Sequence, residues 1–237
     1  MSEDKRPIVL LDLDDTILDF HVAEHEALKK TLAALGIDNS EKNLARYSEI
    51  NKCHWEMLER GEITRAQVLL GRFQVFLREL GHGGDDALAC RTRDDYEANL
   101  SQGHWFIPGA EQMLDELNGK YRLFLCSNGT AVVQEGRLKS AGIASCFEHI
   151  FISEAIGHNK PSKEYFDCCF RQIPDFQRER CIILGDSLSS DILGGINAGI
   201  SSCWFNPKHK ENSSGISPDY EIDSLGQFVT LLGKIFI

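Results

Sequence analysis

The sequence lacks the features of several large protein classes, and each absence narrows what it can be. No run of about 18 apolar residues occurs, so no segment reads as a membrane-spanning helix. The first residues, Met1-Ser2-Glu3-Asp4-Lys5-Arg6, carry no apolar signal core. There is no internal repeat and no low-complexity tract. Positive charge is scarce, with 25 Lys and Arg against 36 Asp and Glu, a formal net charge of -11. An acidic surface does not attract another polyanion, which argues against a nucleic-acid polymer or an anionic membrane as partner. The 8 cysteines include no C-x-x-C pair. Several lie inside strand-like apolar runs and read as small buried hydrophobes in a reducing compartment. A soluble, cytoplasmic protein is therefore expected. A G-x-x-x-x-G-K-[ST] phosphate loop is also missing, and Gly194-Gly195-Ile196-Asn197-Ala198-Gly199 does not have G-x-G-x-x-G spacing. Both absences count against a kinase or a dinucleotide enzyme.

What is present is organised around Ile8-Val9-Leu10-Leu11-Asp12-Leu13-Asp14-Asp15-Thr16, an apolar run that ends in acids. Four branched apolar residues bounded by charge predict a buried strand. In a parallel sheet covered on both faces, ligands bind beyond the carboxyl ends of such strands. Alternation along the strand turns Leu13 away and returns Asp14 to the side of Asp12. Two carboxylates about 4 Å apart repel by roughly 4 kcal/mol at an effective dielectric of about 20. Either a cation offsets that repulsion, or one group is protonated as an acid while the other acts as nucleophile, and the two are compatible.

After Thr16 the periodicity is helical for roughly ninety residues. Val22 to Leu35 predicts one helix stopped by Gly36, and Ser40 to Gly61 predicts a second. Thr64 caps a third, ended by Gly81, and Asp85 to Leu100 makes a fourth. This block is an all-helical insert. From Pro108 strands and helices alternate: a helix with Met113 to Leu117, a strand at Tyr121 to Cys126, a helix over Val132 to Ala141, a strand at His149 to Ile152. A helix over Ser162 to Arg171, a strand at Cys181 to Leu184, a helix ending at Gly199, a strand at Ser202 to Phe205 and a helix over Asp223 to Ile237 follow. Pro207 to Pro218 reads as a flexible loop. The fold class expected is α/β, a doubly wound parallel sheet with an inserted helical domain; the core takes residues 1–17 and 104–237, and the insert 18–103.

Parallel strands place their carboxyl ends on one edge, which gathers Asp12, Asp14, Ser127, Asn128, Lys160, Asp186 and Asp191. Clustered acids with a lysine and a hydroxyl suit a hard cation and a phosphoryl group. Oxygen ligands favour Mg²⁺, and the lysine with loop N–H groups can hold phosphate oxygens.

These residues resemble the haloacid dehalogenase-like hydrolase superfamily. Asp12-Leu13-Asp14-Asp15-Thr16 matches its D-x-D-x-T motif, Ser127-Asn128 its second, Lys160 before Pro161 its third, and Gly185-Asp186-Ser187 with Asp191 its acidic fourth, in the family's order. The resemblance implies Asp12 as a nucleophile that becomes phosphorylated and Asp14 as acid and then base. It implies Ser127, Asn128 and Lys160 as binders of the substrate phosphoryl group. Asp12, the Asp14 backbone carbonyl and Asp186 would hold Mg²⁺, with Asp191 a ligand directly or through water. The insert resembles the family's helical cap, which closes over substrate. Asp14 also separates phosphatases from dehalogenases on chemical grounds, because a departing alkoxide needs a proton and a departing halide does not.

Within the family, Asn51-Lys52 with Trp55, Gly61 to Thr64, Gly71-Arg72-Phe73, Phe166-Asp167 and Ser190 to Gly199 before Cys203-Trp204 are similar to bacterial house-cleaning nucleoside monophosphate phosphatases. That likeness implies a pyrimidine-preferring 5'-nucleotidase whose partner is a small phosphorylated metabolite. A base would be read by residues such as Phe20, Asn51, Trp55 and Arg72. A sugar-phosphate phosphatase or phosphomutase is the alternative within the family. His21-Val22-Ala23-Glu24-His25 matches the H-x-x-E-H of one zinc peptidase class, and a metal-binding protein without turnover is a third reading.

Overall fold

The strand expected at the amino-terminal end forms as β1 (Ile8–Leu11), and all four of its residues are buried. In this computed structural model, which describes residues 4–236, β1 is central to a parallel sheet. The other strands are β2 (Arg122–Ser127), β3 (His149–Ile152), β4 (Cys181–Gly185), β5 (Ser201–Phe205) and β6 (Tyr220–Ile222), in the order β3-β2-β1-β4-β5-β6. Met1, Ser2 and Glu3, and Ile237 at the end of the last expected helix, lie outside the described residues.

The continuous apolar run of β1 has a simple cause, since both faces of the sheet are covered. Val9 and Leu11 join Leu123, Leu125, Ile182 and Leu184 in one core. Ile8 and Leu10 join Phe124, Cys126, Cys181 and Ile183 in the other. Side chains alternate with a period of two, so a doubly covered strand must be apolar at every position. The first face packs α5 (Ala110–Leu117), Leu138 of α6 (Ala131–Ala141) and α10 (Leu225–Ile235). The second packs α8 (Lys163–Phe170) and Ala198 of α9 (Leu193–Ala198). A one-turn helix, α7 (Ser153–Ile156), follows β3.

The chain divides into two compact units. One holds the described residues through Asp19 together with those from Trp105 onward, and the other is Phe20–His104. The second unit is all helical: α1 (Phe20–Leu35), α2 (Glu41–Glu59), α3 (Arg65–Glu79) and α4 (Asp86–Leu100). Its boundaries follow local chemistry. Thr64 and Gln67 form a reciprocal capping box at α3, and the Asp85 carboxylate accepts from Leu88 N–H at α4. Tyr47 centres the interior, with ring centroids 5.1 Å from Phe73, 5.4 Å from Phe76 and 5.5 Å from Tyr96.

Besides α7, which the sequence reading does not contain, two elements depart from it. Strand β6 has only three residues, too short for alternation to be read, and Asp219 anchors its start by accepting from Ser202 N–H at 2.8 Å. The helix before Gly199 begins with a π turn over Leu188–Ile192, in which Ile192 N–H reaches Ser187 O at 3.2 Å. Wide turns of this kind recur at functional sites.

Candidate active site

Register lays out the site. Leu11 stands opposite both Leu125 and Leu184, so the chain positions just beyond, Asp12 and Asp186 and Ser127, emerge at one edge. Asp12 is still tied to the sheet, its N–H donating to Leu184 O at 3.0 Å. Its carboxylate is buried. Lys160, from the loop before α8, is buried as well, which a lysine tolerates only when paired. Its ammonium donates to Asp12 Oδ1 at 2.6 Å, Asp191 Oδ1 at 2.6 Å and the Cys126 carbonyl at 2.7 Å. An ammonium has three donors, and these contacts use all of them. In this arrangement Lys160 works first as a bridge between two acids.

The charges do not balance around that bridge. Burial pushes the Asp12 carboxyl up to about 8; Lys160 pulls it down, while Asp191 and Asp14 push it further up. Asp186, partly exposed at the mouth, is raised well above the usual carboxylate range by loss of hydration and then by Asp12, Asp191 and Asp15. Burial alone would lower the Lys160 ammonium, but Asp12 and Asp191 outweigh it and its pKa rises. One lysine leaves a surplus of negative charge.

That surplus has the chemistry of a cation site. Asp12, Asp186 and Asp191 each offer an oxygen within 4.8 Å of the others, the only such grouping among the described residues. An all-oxygen, carboxylate-rich set fits a hard divalent cation such as Mg²⁺. Asp191 is fixed at both oxygens, by Lys160 and by Ser187 N–H at 3.2 Å. The Trp204 indole donates to the Asp186 carbonyl at 2.8 Å and steadies that loop. The Asp14 side chain stands outside this trio.

The remaining expected residues divide by what they touch. Ser127 Oγ accepts from Gln134 Nε2 at 2.7 Å and from Gly129 N–H at 3.2 Å, so its own proton is left to be donated. Asn128 is turned to the backbone of Lys160: Nδ2 donates to its carbonyl at 2.9 Å, and Oδ1 accepts its N–H at 2.8 Å. The side-chain amide of Asn128 thus holds the lysine loop. Asp14 is gripped by two residues that sequence reasoning missed, Gln134 and Arg137. The available signal was polar residues on the same helix face as Leu138, which packs inward.

In the helical unit, Asn51 and Arg72 turn on their neighbours. Asn51 Nδ2 donates to Glu24 Oε1 at 2.6 Å and Arg72 Nη1 to Asn51 Oδ1 at 2.8 Å, all three side chains being buried. Their polar atoms serve the interior of that unit, a correction to the expectation that they read a base. Glu24 is thereby absorbed from the H-x-x-E-H match, and His25 bonds Glu41 Oε2 at 2.8 Å. No third metal ligand gathers there among the described residues.

Comparison with known proteins bears on the family and the fold. The family model described as haloacid dehalogenase-like hydrolase matches residues 9–205. YfnB of Bacillus subtilis, assigned to the HAD hydrolases, is 39% identical over 94% of this chain and 94% of its own. A magnesium-bound crystal structure of YfnB superposes with a TM-score of 0.89, covering 97% of this chain and 99% of that one at 38% identity. The pyrimidine 5'-nucleotidase PynA of Streptococcus pneumoniae is 34% identical over 95% of this chain and 94% of its own. The pyrimidine 5'-nucleotidase YjjG of Escherichia coli is 29% identical over 95% and 97%. No helix among the described residues is long and apolar enough to cross a membrane.

Proposed function

The chain belongs to the haloacid dehalogenase-like hydrolases, and from that premise we propose that it hydrolyses phosphate monoesters through phosphorylation of Asp12. The observation that carries this reading is the convergence of Asp12, Lys160 and Asp191 at 2.6 Å contacts, with Asp14 two residues on along the chain. Lys160 holds Asp12 in place and opposes the rise in its pKa that burial causes. The Ser127 hydroxyl donates to a phosphoryl oxygen. Asp12 forms its bond to phosphorus as the bond to the ester oxygen breaks, and the Asp14 carboxyl gives that oxygen a proton. A water then attacks the phosphorus and loses its proton to Asp14, and the Asp12 carboxylate departs with release of inorganic phosphate. Asp12, Asp186 and Asp191, with the Asp14 backbone carbonyl, would hold Mg²⁺. When bound it supplies positive charge that offsets the crowded acids and stabilises the phosphoryl oxygens.

The substrate favoured is a pyrimidine nucleoside 5'-monophosphate, supported by the likeness to PynA and YjjG over nearly the full length of all three chains. The net charge of -11 is consistent with a small anion held by local groups and argues against a polymer of phosphates. A panel of phosphate esters assayed with Mg²⁺ tests both levels. The expected result is the highest kcat/KM for UMP- or dTMP-like substrates. A higher kcat/KM for hexose phosphates than for every pyrimidine monophosphate overturns the nucleotidase reading and leaves the phosphatase reading standing. No ester turnover with Mg²⁺ overturns both.

A further inference from the structure

Asp14 is held at both carboxylate oxygens by a single helix. Oδ2 accepts from Gln134 Nε2 at 2.6 Å, and Oδ1 accepts from Arg137 Nη1. The two donors lie three residues apart on α6 and so share one face. Gln134 is 1% exposed and Arg137 0%, whereas the Asp14 side chain is 31% exposed. Burying a guanidinium and an amide costs free energy unless their hydrogen bonds are made. Here those bonds are spent on a carboxylate at the mouth of the site.

A purely structural reading would make these residues fasteners of α6. That helix already packs through Val133 and Leu138, both buried, and a fastener would not link two groups at the reacting end of the sheet. Gln134 does. Its one amide nitrogen donates both to Asp14 Oδ2 and to Ser127 Oγ. The chain also makes room for it: a Cβ at Gly129 would stand 2.5 Å from Gln134 Nε2 and 2.6 Å from its Cδ and Cγ. Any side chain at 129 must displace the amide.

We infer that Gln134 and Arg137 are positioning residues: they fix the Asp14 carboxyl for proton transfer, and Gln134 sets the Ser127 hydroxyl in the same frame. This rests on the phosphatase reading above, in which Asp14 protonates the ester oxygen in the first half-reaction and takes the proton of water in the second. Both residues act through the Asp14 carboxyl, so their effect must follow the need for that proton. Breaking the bond to p-nitrophenolate needs little help from an acid, breaking the bond to a nucleoside oxygen needs much, and the dephosphorylation step needs the base with either substrate.

The test uses the full chain with Mg²⁺ and compares Arg137→Ala, Arg137→Lys and Gly129→Ala with wild type. With a nucleoside monophosphate, Arg137→Ala is expected to lose kcat by about 10- to 100-fold with KM little changed, the scale of a misplaced catalytic group. With p-nitrophenyl phosphate it is expected to give a rapid burst of one nitrophenolate per enzyme, then slow turnover. Arg137→Lys should recover part of the loss, and Gly129→Ala, which removes no polar group, should reproduce the burst. Wild-type kcat in Arg137→Ala and Gly129→Ala overturns the inference. So does an equal loss of both half-reactions without a burst in folded protein, which is what a structural role produces. If wild type itself cleaves neither ester, the phosphatase reading fails instead, and the two failures are distinct.

Discussion

Asp191 lies against the bare backbone of Gly185, so closely that any Cβ at residue 185 would collide with its carboxylate. Gly185 ends β4 opposite Trp204 of β5, and Asp191 sits in the π turn that follows. The absence of a side chain at one strand end thus sets where an acid six residues later can reach Lys160. Gly185→Ala is expected to destabilise the protein by about 1–3 kcal/mol, the usual cost of overpacking, and to weaken Mg²⁺ binding. Urea unfolding and calorimetric titration with MgCl₂ measure the two effects; wild-type affinity in the variant would mean that Asp191 does not need this position.

Asp12→Asn keeps the volume of the side chain and removes the nucleophile, so turnover is expected to fall to background while the circular dichroism spectrum is retained. Asp14→Asn should fold and lose about 10²- to 10⁴-fold in kcat, the range typical of general acid–base groups. After exposure to p-nitrophenyl phosphate, it should carry one phosphoryl group on Asp12, visible by mass spectrometry of the intact chain. Sustained turnover by Asp12→Asn, with contaminating phosphatases excluded, would remove the covalent route.

The pH dependence of stability follows from the raised carboxyls. In metal-free protein, Asp12 is pushed up to about 8 by burial, with Asp186 raised as well. A carboxyl raised on folding binds more protons in the native than in the unfolded state between the ordinary carboxylate range and its new value. Stability therefore falls as pH rises from about 4 towards about 8. Lys160, also raised, favours folding throughout that window and does not reverse the trend. A bound cation should cancel the penalty, so the gain in Tm on adding Mg²⁺ should be larger at pH 8 than at pH 5. Thermal melts with chelator and with MgCl₂ at both pH values check the sign.

The helical unit has its own buried polar chain, and its failure should be structural. Burial raises the Glu24 carboxyl, and its bonds from Ser48 and Asn51 oppose that rise. Arg72→Met removes the cation at the far end of Asn51 and leaves Glu97, 3.6 Å from Arg72 Nη2, without it. The expected loss is about 3 kcal/mol, read as faster proteolysis or hydrogen exchange within Phe20–His104. A stable variant with altered substrate preference would restore Arg72 as a reader of the leaving group.

Much of the architecture is legible residue by residue because it depends on neighbours in the chain. Ile8 to Leu11 reads as a doubly covered strand, and the turn to Asp12 marks where it leaves the core. Helix ends follow the same local logic, since the first backbone N–H groups need a cap that Thr64 and Asp85 provide. The order of strands and helices implies a shared edge and so assembles Asp12, Ser127, Lys160, Asp186 and Asp191 in principle.

Partner choice at that edge belongs to the tertiary structure. Lys160 and Asp12 are 148 positions apart, and only packing decides that the ammonium spends its three donors on two acids and a carbonyl. Gln134 and Arg137 look like solvated helix residues until α6 is docked with that face towards Asp14. Asn51 and Arg72 look like surface readers until α2 and α3 close on each other and turn them inward. The physical reason is common to all of these. A side chain's intrinsic chemistry is carried by its type and position, whereas the hydrogen-bond partner it must find once buried depends on which distant group packing brings within reach.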